Sequence, residues 1–250
     1  MTKLQSFFGP YLILIKLLLT GLVILSLSRI GLVVWQWDRV VAATSLPTIF
    51  WQGIRADLIM MGMLLVPLAL GLPLLANQLG WKIWQKLVLI WGVLVIVLIS
   101  FMEASTPAFI SQYDLRPNRL FVEYLRYPKE VFATLWQGFR WPLLIGVTLT
   151  VISGSVAVKL LQRWLNNNQK PWPVWKIWLA WPLLLLILAL MIRSSIGHRP
   201  ANPSSFALTP DAMVNSLMLN SAWSVYFAIY NMQHESNAAE VYGTMTDEAI

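Results

Sequence analysis

The chain has 250 residues, of which 58% are hydrophobic and only 12% charged, with a mean hydropathy of +0.64. Soluble domains carry about 25% charged residues, so this composition excludes an ordinary soluble domain and points to an integral membrane protein. The net charge of +7 is spread between hydrophobic runs, which argues against a nucleic-acid partner, and the lack of cysteine excludes disulfides, thiolate chemistry and cysteine metal sites.

Residues 1–10 are short and polar, with Lys3. The first predicted span runs from Tyr11 to about Val34 and ends on Trp35-Gln36-Trp37. It is too long for the apolar core of a cleaved signal peptide, which has about 7–15 residues. Lys16 near its start can snorkel to the surface. Arg29 lies deeper, where a charge costs roughly 2.5–3.5 kcal/mol, so it is expected to face protein, water or headgroups. A loop with Asp38, Arg39 and Pro47 leads to GIRADL, residues 53–58, and a second span from Leu58 to about Leu75. Arg55 and Asp57 sit at its entry, two residues apart, and so do not face each other on a helix. Each is expected to find another partner, either as interfacial anchoring or in a polar site beneath the headgroups.

A basic turn with Lys82 and Lys86 precedes the third span, which starts at Ile83 or Leu87, reaches Phe101 and is closed by Glu103. Residues 103–141 form a connection too long to be an idle turn. Arg119, Glu123, Arg126 and Glu130 follow one another at helical spacing, and Pro128 restarts the helix. Leu120, Phe121, Tyr124, Leu125, Val131, Phe132, Leu135 and Trp136 supply an apolar face. Two amphipathic helices lying on the membrane are predicted, although such a charge ladder also suits a merely solvated face. The fourth span is Pro142 to about Leu161, followed by a turn with Lys159, Arg163 and Lys170, and the fifth is Trp175 to Ile192.

Pro200 and Pro203 stop the fifth span, and Thr209-Pro210-Asp211 reads as a helix start with Thr209 as N-cap. From Met213 to Tyr230 the chain is too polar for a confident sixth span and too apolar for a free linker, so interfacial helices are expected. The predicted fold is therefore all-α. It comprises a five-span transmembrane domain over residues 1–193, interfacial linker helices over 194–232 and a polar tail over 233–250. With the N-terminus in the cytoplasm, the inner turns hold Lys3, Lys16, Lys82, Lys86, Lys159, Arg163, Lys170 and Lys176, and all 11 acids fall outside. That distribution favours a cytoplasmic N-terminus and an external C-terminus.

No GxSxG, HExxH or P-loop occurs, and His198 and His234 have no ligand spacing around them. The residues alone show neither catalytic nor metal-binding chemistry. They do place Arg29, Arg55, Asp57, Arg116, Arg119, Arg193 and Arg199 towards the outer face. Guanidinium groups there suit phosphate headgroups through bidentate hydrogen bonds. Arg55, Asp57, Arg116, Arg119, Arg193 and Arg199 are thus the candidate site for an anionic phospholipid, against the alternative that each anchors its own span.

Three stretches carry a resemblance: GIRADL at 53–58, RPNRLFVEYLRYPKEVF at 116–132, and RSSIGHRPANPSSFA at 193–207 followed by VNSLMLNSAWSVYFAIYN at 214–231. Together they resemble the N-terminal membrane region of the lipoteichoic acid synthase-like, phosphoglycerol transferase-type sulfatase proteins of the alkaline phosphatase superfamily. The resemblance implies a five-span anchor in a bacterial cytoplasmic membrane. It also implies an extracytoplasmic catalytic domain with a divalent metal and a Thr or Ser nucleophile, expected to begin where this chain ends. No catalytic residue carries over to the positions present. The reading that follows is a module that anchors such a transferase or hydrolase and holds its lipid substrate. A non-enzymatic scaffold or partner-binding subunit is the alternative. A small transporter is a third reading, but neither internal repeats nor broken spans are evident.

Overall fold

The computed structural model describes residues 7–44, 46–166 and 172–242. Lys3, Lys170 and the acids Asp247 and Glu248 lie outside them. Helices account for nearly all the described residues, and no strand occurs among them. Five helices are long and apolar enough to cross a membrane: α1 (Tyr11–Trp35), α3 (Leu46–Leu74), α4 (Gln78–Tyr113), α7 (Arg140–Asn166) and α8 (Val174–Arg193). A short helix α2 (Trp37–Ala43) links the first two. Helices α5 (Arg119–Tyr124) and α6 (Pro128–Gly138) follow α4 in the predicted connection, with Pro128 in the first turn of α6. After α8 come a 3-10 turn over Pro203–Phe206, then α9 (Ala212–Leu217) and α10 (Ser221–Tyr242).

The outward faces explain why these helices suit lipid. Leu19, Val23, Leu27, Ile30 and Val34 repeat at helical spacing along α1 and are all exposed, as are Leu179, Leu183, Leu186 and Leu190 on α8. Apolar patches on this scale are not tolerated in water by soluble monomers.

Consecutive spanning helices alternate in direction. Trp84 and Trp91 of α4 donate their indole N–H groups to the carbonyls of Leu68 and Leu64 in α3. Helix α8 packs on the other side of α3, and Trp181 donates to the Ala69 carbonyl at 2.9 Å. Pro73 has no N–H, so the Ala69 carbonyl four residues before it lacks its helical donor, and the indole takes that place. Helix α7 packs along α4 and is otherwise largely exposed. The end at which α1, α4 and α8 finish also carries α2, α5, α6, α9 and the start of α10. We call it the exit end.

Three predicted boundaries shift. The second helix begins at Leu46, not Leu58, so Arg55 and Asp57 lie inside it. The third does not close at Glu103 but continues through Pro107 to Tyr113, which places Glu103 within the helix and leaves about 25 residues before α7. The cap of α9 is Asp211, whose carboxylate accepts from the N–H groups of Met213 and Val214, while Thr209 lies outside the helix and accepts from the Asp211 N–H.

The largest difference concerns residues 206–225. Expected as a connector at the interface, this stretch is instead the best-buried part of the exit end. Phe206, Met213, Val214, Leu217, Met218 and Trp223 form one core with Leu32 and Val33 of α1, Ala56 and Ile59 of α3 and Met102 of α4. A surface helix buries one face, whereas here nearly every side chain from Met213 to Trp223 is covered by the protein.

Candidate functional site

Two buried ion pairs hold the inserted segment in place. Arg29 of α1 and Asp57 of α3 are both almost fully buried and meet end-on, with Nη1 to Oδ2 at 2.7 Å and Nη2 to Oδ1 at 2.8 Å. The remaining donors of Arg29 turn to the inserted segment: Nε reaches the Leu217 carbonyl at 3.1 Å and Nη2 the Leu219 carbonyl at 3.4 Å. The Leu217 carbonyl ends the short helix α9 and the Leu219 carbonyl lies in the turn after it, and neither has a backbone donor among the described residues, so the guanidinium closes the helix end as well as the charge. Asn220 completes this side. Its amide donates to the Ala56 carbonyl and to Asp57 Oδ1, and its own oxygen accepts from the Trp223 N–H, capping α10.

The second pair joins Glu103 of α4 to Arg116 in the turn before α5. Arg116 Nη1 lies 2.9 Å from both carboxylate oxygens. Glu103 also accepts from the Ser28 hydroxyl at 2.5 Å and from the Ser221 N–H at 2.9 Å. The Ser221 hydroxyl accepts from Arg116 at 3.1 Å and pairs with Thr106 at 2.6 Å. Helices α1, α3 and α4, the α5 turn and the start of α10 are thus tied together through Arg29, Asp57, Glu103 and Arg116, whose formal charges cancel. Cancellation is what makes such burial tolerable in a low-dielectric interior.

Arg116 is not fully satisfied. Its Nε and Nη2 are buried and have no hydrogen-bond partner among the described residues. Beside it lies a cavity of about 250 Å³ lined also by Asn118, Asn215, Ser216 and Ser224.

A third network lies nearer the surface. Arg39 of α2 bridges Asp114, at the left-handed C-cap of α4, and Asp211, the cap of α9. The Arg39 guanidinium holds the Asp211 carboxyl below the usual carboxylate range. The two carboxylates, Asp114 first, raise the pKa of Arg39 in turn. Arg119 pairs with Glu123 one turn along α5, as its spacing predicts, and also reaches Glu235 near the end of α10 at 2.8 Å.

Of the predicted headgroup residues, Asp57 and Arg116 are internal and belong to different ion pairs. Arg55 and Asp57 do not pair, as their spacing requires. Arg55 instead bonds Gln52 and the Ser194 carbonyl at 2.6 Å each, with Phe206 beneath its guanidinium. Arg193 closes its own loop through the Gly197 and His198 carbonyls. Arg199 makes no side-chain bond among the described residues, and no two of the five arginines share a partner there. The sequence places Arg29 on the outer side without its partner, reads Glu103 as the close of the third span, and treats Asn220 and Ser221 as polar breaks in an interfacial stretch, not as members of a buried site. The available signal was an Asn-Ser pair between two apolar runs, opposite lone charges in three apolar helices.

Among the described residues no three His, Cys, Asp or Glu gather into a metal site. Neither a protein-family model nor a solved structure matches this chain.

Proposed function

We propose that this chain is the membrane mount of a sulfatase-like phosphoglycerol transferase or hydrolase. In this reading it anchors the enzyme in a bacterial cytoplasmic membrane, sets the direction in which α10 leaves the bundle, and keeps an anionic phospholipid beside the catalytic domain. The N-terminus lies in the cytoplasm and the exit end faces outward. The divalent metal and nucleophile belong to the extracytoplasmic domain. The class comes from the sequence resemblance. The observation supporting the mount is that residues 217–221 are held to three spanning helices by two buried ion pairs. An anchor that only tethers needs no such coupling. Fixing the exit helix to the bundle converts a flexible tether into an oriented one, which raises the effective concentration of whatever α10 carries near the lipid surface.

The test uses the absence of cysteine, which lets introduced thiols be labelled uniquely. Spin labels at Ser111→Cys on α4 and Asn231→Cys on α10 should give a narrow distance distribution that broadens in Arg29→Gln. A broad distribution in the parent background overturns the mount. In the natural gene product, phosphoglycerol transfer from phosphatidylglycerol in proteoliposomes should fall in Arg29→Gln. Turnover that persists unchanged removes the mount's role, and a complete lack of turnover favours the scaffold reading.

A further inference from the structure

A second feature of the exit end is an apolar groove of about 580 Å³ between α4 and α7, roofed by α5 and α6. That volume falls in the range of roughly 300–1,000 Å³ typical of small-molecule sites. One wall runs along α4 from Phe101 to Tyr113. The twelve helical rises between them span about 18 Å. A single leaflet's hydrocarbon depth is about 15 Å, half of roughly 30 Å. The groove therefore follows a spanning helix for about the length of one leaflet.

Its width is set by small residues. Ala104 on α4 faces Gly146 on α7, where an added Cβ would lie 4.0 Å from Ala104 Cβ, and Ala108 lines the slot one turn along α4. Larger side chains at these positions would close the slot. Its polarity is uneven. The deep end holds Phe101 and Ala104, while the end near the roof has Gln112, Glu130, Thr134 and a hydroxyl pair between Tyr113 and Tyr124 at 2.5 Å. Arg126 stands in the turn between α5 and α6, between the lining residues Leu125 and Tyr127, and is exposed with no side-chain partner among the described residues. Arg140 at the start of α7 lies over the Trp136 ring and forms no ion pair there. An apolar slot about as long as one leaflet is deep, polar at one end and with Arg126 and Arg140 next in the chain to its lining residues Leu125 and Phe139, suits an anionic phospholipid, with Glu130 the one carboxylate in its lining.

We propose that this groove holds one acyl chain of an anionic glycerophospholipid, with its headgroup at the Tyr113–Tyr124 end beside Arg126. The assignment rests on the membrane-spanning reading of the five helices and not on the enzymatic one. It also moves the lipid away from the arginines singled out in the sequence, most of which have protein partners. The lipid seated here would brace α5 and α6 against α7, filling space that side chains leave open.

The experiment measures lipid retention after reconstitution into nanodiscs of equal phosphatidylglycerol and phosphatidylcholine and extraction in mild detergent, read by native mass spectrometry. The parent chain should retain one phosphatidylglycerol. Ala108→Trp and Gly146→Leu, which fill the slot, should each lower retention at least about tenfold. Arg126→Gln should keep the lipid but abolish the preference for the anionic headgroup. Unchanged retention in both slot-filling variants, with unchanged unfolding temperature, overturns the proposal. A second measurement requires no packing change. Phosphatidylglycerol carrying a photoreactive acyl chain should mark residues 104–108 and 142–147 of the parent chain. Adducts spread evenly over the exposed faces of α7 and α8, or recovery with detergent alone, would also overturn it. A mount that fails the distance test could still retain this lipid, so the two readings fail separately.

Discussion

The two buried ion pairs at the exit end differ in how completely they are satisfied. Arg29 uses all three of its nitrogens, Nη1 and Nη2 on Asp57, Nε on the Leu217 carbonyl, and Nη2 again on the Leu219 carbonyl. Arg116 uses one, on Glu103 and Ser221, and leaves two unpaired. Both guanidiniums are buried and each faces one carboxylate, so charge alone does not separate them. Donor geometry does. A planar fork is required where two parallel bonds meet a carboxylate and further donors close a helix end, whereas a single nitrogen facing a carboxylate asks only for a point charge. The first pair reads as a closed structural joint. The second is a joint with spare donors beside a cavity.

The largest effect should come from breaking the closed joint. Arg29→Met leaves Asp57 buried without its counter-charge and the Leu217 and Leu219 carbonyls without donors, so a loss of about 3–5 kcal/mol is expected. Unfolding in detergent, followed by tryptophan fluorescence, would measure it. Arg29→Met with Asp57→Leu should recover only part of the loss. The charge is then gone, but two carbonyls remain unpaired at about 1–3 kcal/mol each. Full recovery would mean that the guanidinium contributes nothing to the end of α9.

Conservative replacement separates the two joints. Arg29→Lys keeps the charge but loses the two-bond pairing and the reach to both carbonyls, and should cost about 2–3 kcal/mol. Arg116→Lys needs to replace only one nitrogen and removes two orphaned donors, so its cost should stay below about 1 kcal/mol. Equal losses in the two variants would show that the free nitrogens of Arg116 have a partner in the folded protein, and the comparison would collapse.

The backbone around the closed joint offers a smaller perturbation. A methyl at Gly53 would collide with the Arg29 guanidinium from one turn before Asp57. Gly53→Ala should therefore push Arg29 off its pairing and cost about 1–3 kcal/mol, although alanine is the better helix former by roughly 1 kcal/mol. Gly31 is a control on α1, since a methyl there meets nothing within 4 Å. Gly31→Ala should be neutral or slightly stabilising. A neutral Gly53→Ala would indicate that Arg29 has room to shift.

These residues also mark where local pattern stops being informative. The five apolar runs were legible because a helix long and apolar enough to cross a membrane carries a continuous composition. Helices α5 and α6 were legible because Arg119 and Glu123 pair within one turn and Pro128 starts a helix. The burial of residues 206–225 was not legible. Asn220 and Ser221 are polar, and polarity read locally suggests a surface, but their partners are Ala56, Asp57 and Glu103, more than 100 positions away. The same error ended the third span at Glu103. A carboxylate looks like a terminus until Ser28, Ser221 and Arg116 supply its partners. The candidate arginines were found as a group, but their roles depended on contacts that spacing does not encode.

The smallest expected effect lies in the surface network, where pH gives the reading. Asp211 caps α9 and pairs with Arg39, and its folded-state pKa sits below the ordinary 3.8 of aspartate, chiefly because of the Arg39 bond. A lowered folded pKa means that the unfolded chain takes up a proton first as pH falls. The stabilisation is therefore complete above about pH 5 and is lost progressively through and below pH 4 as the folded carboxyl protonates. Because Arg39 and Asp211 are both partly exposed, solvent screening keeps the charge contribution at or below about 1 kcal/mol. Asp211→Asn separates the two roles of the residue. Asparagine still caps the helix, so the effect at pH 7 should be limited to the lost ion pair. The acid-dependent decline in unfolding temperature between pH 5 and pH 3 should then become shallower than in the parent chain. An identical acid profile in Asp211→Asn would assign the decline to other carboxylates. A larger loss at pH 7 than in Arg29→Lys would mean that the surface network, not the buried joint, holds the inserted segment.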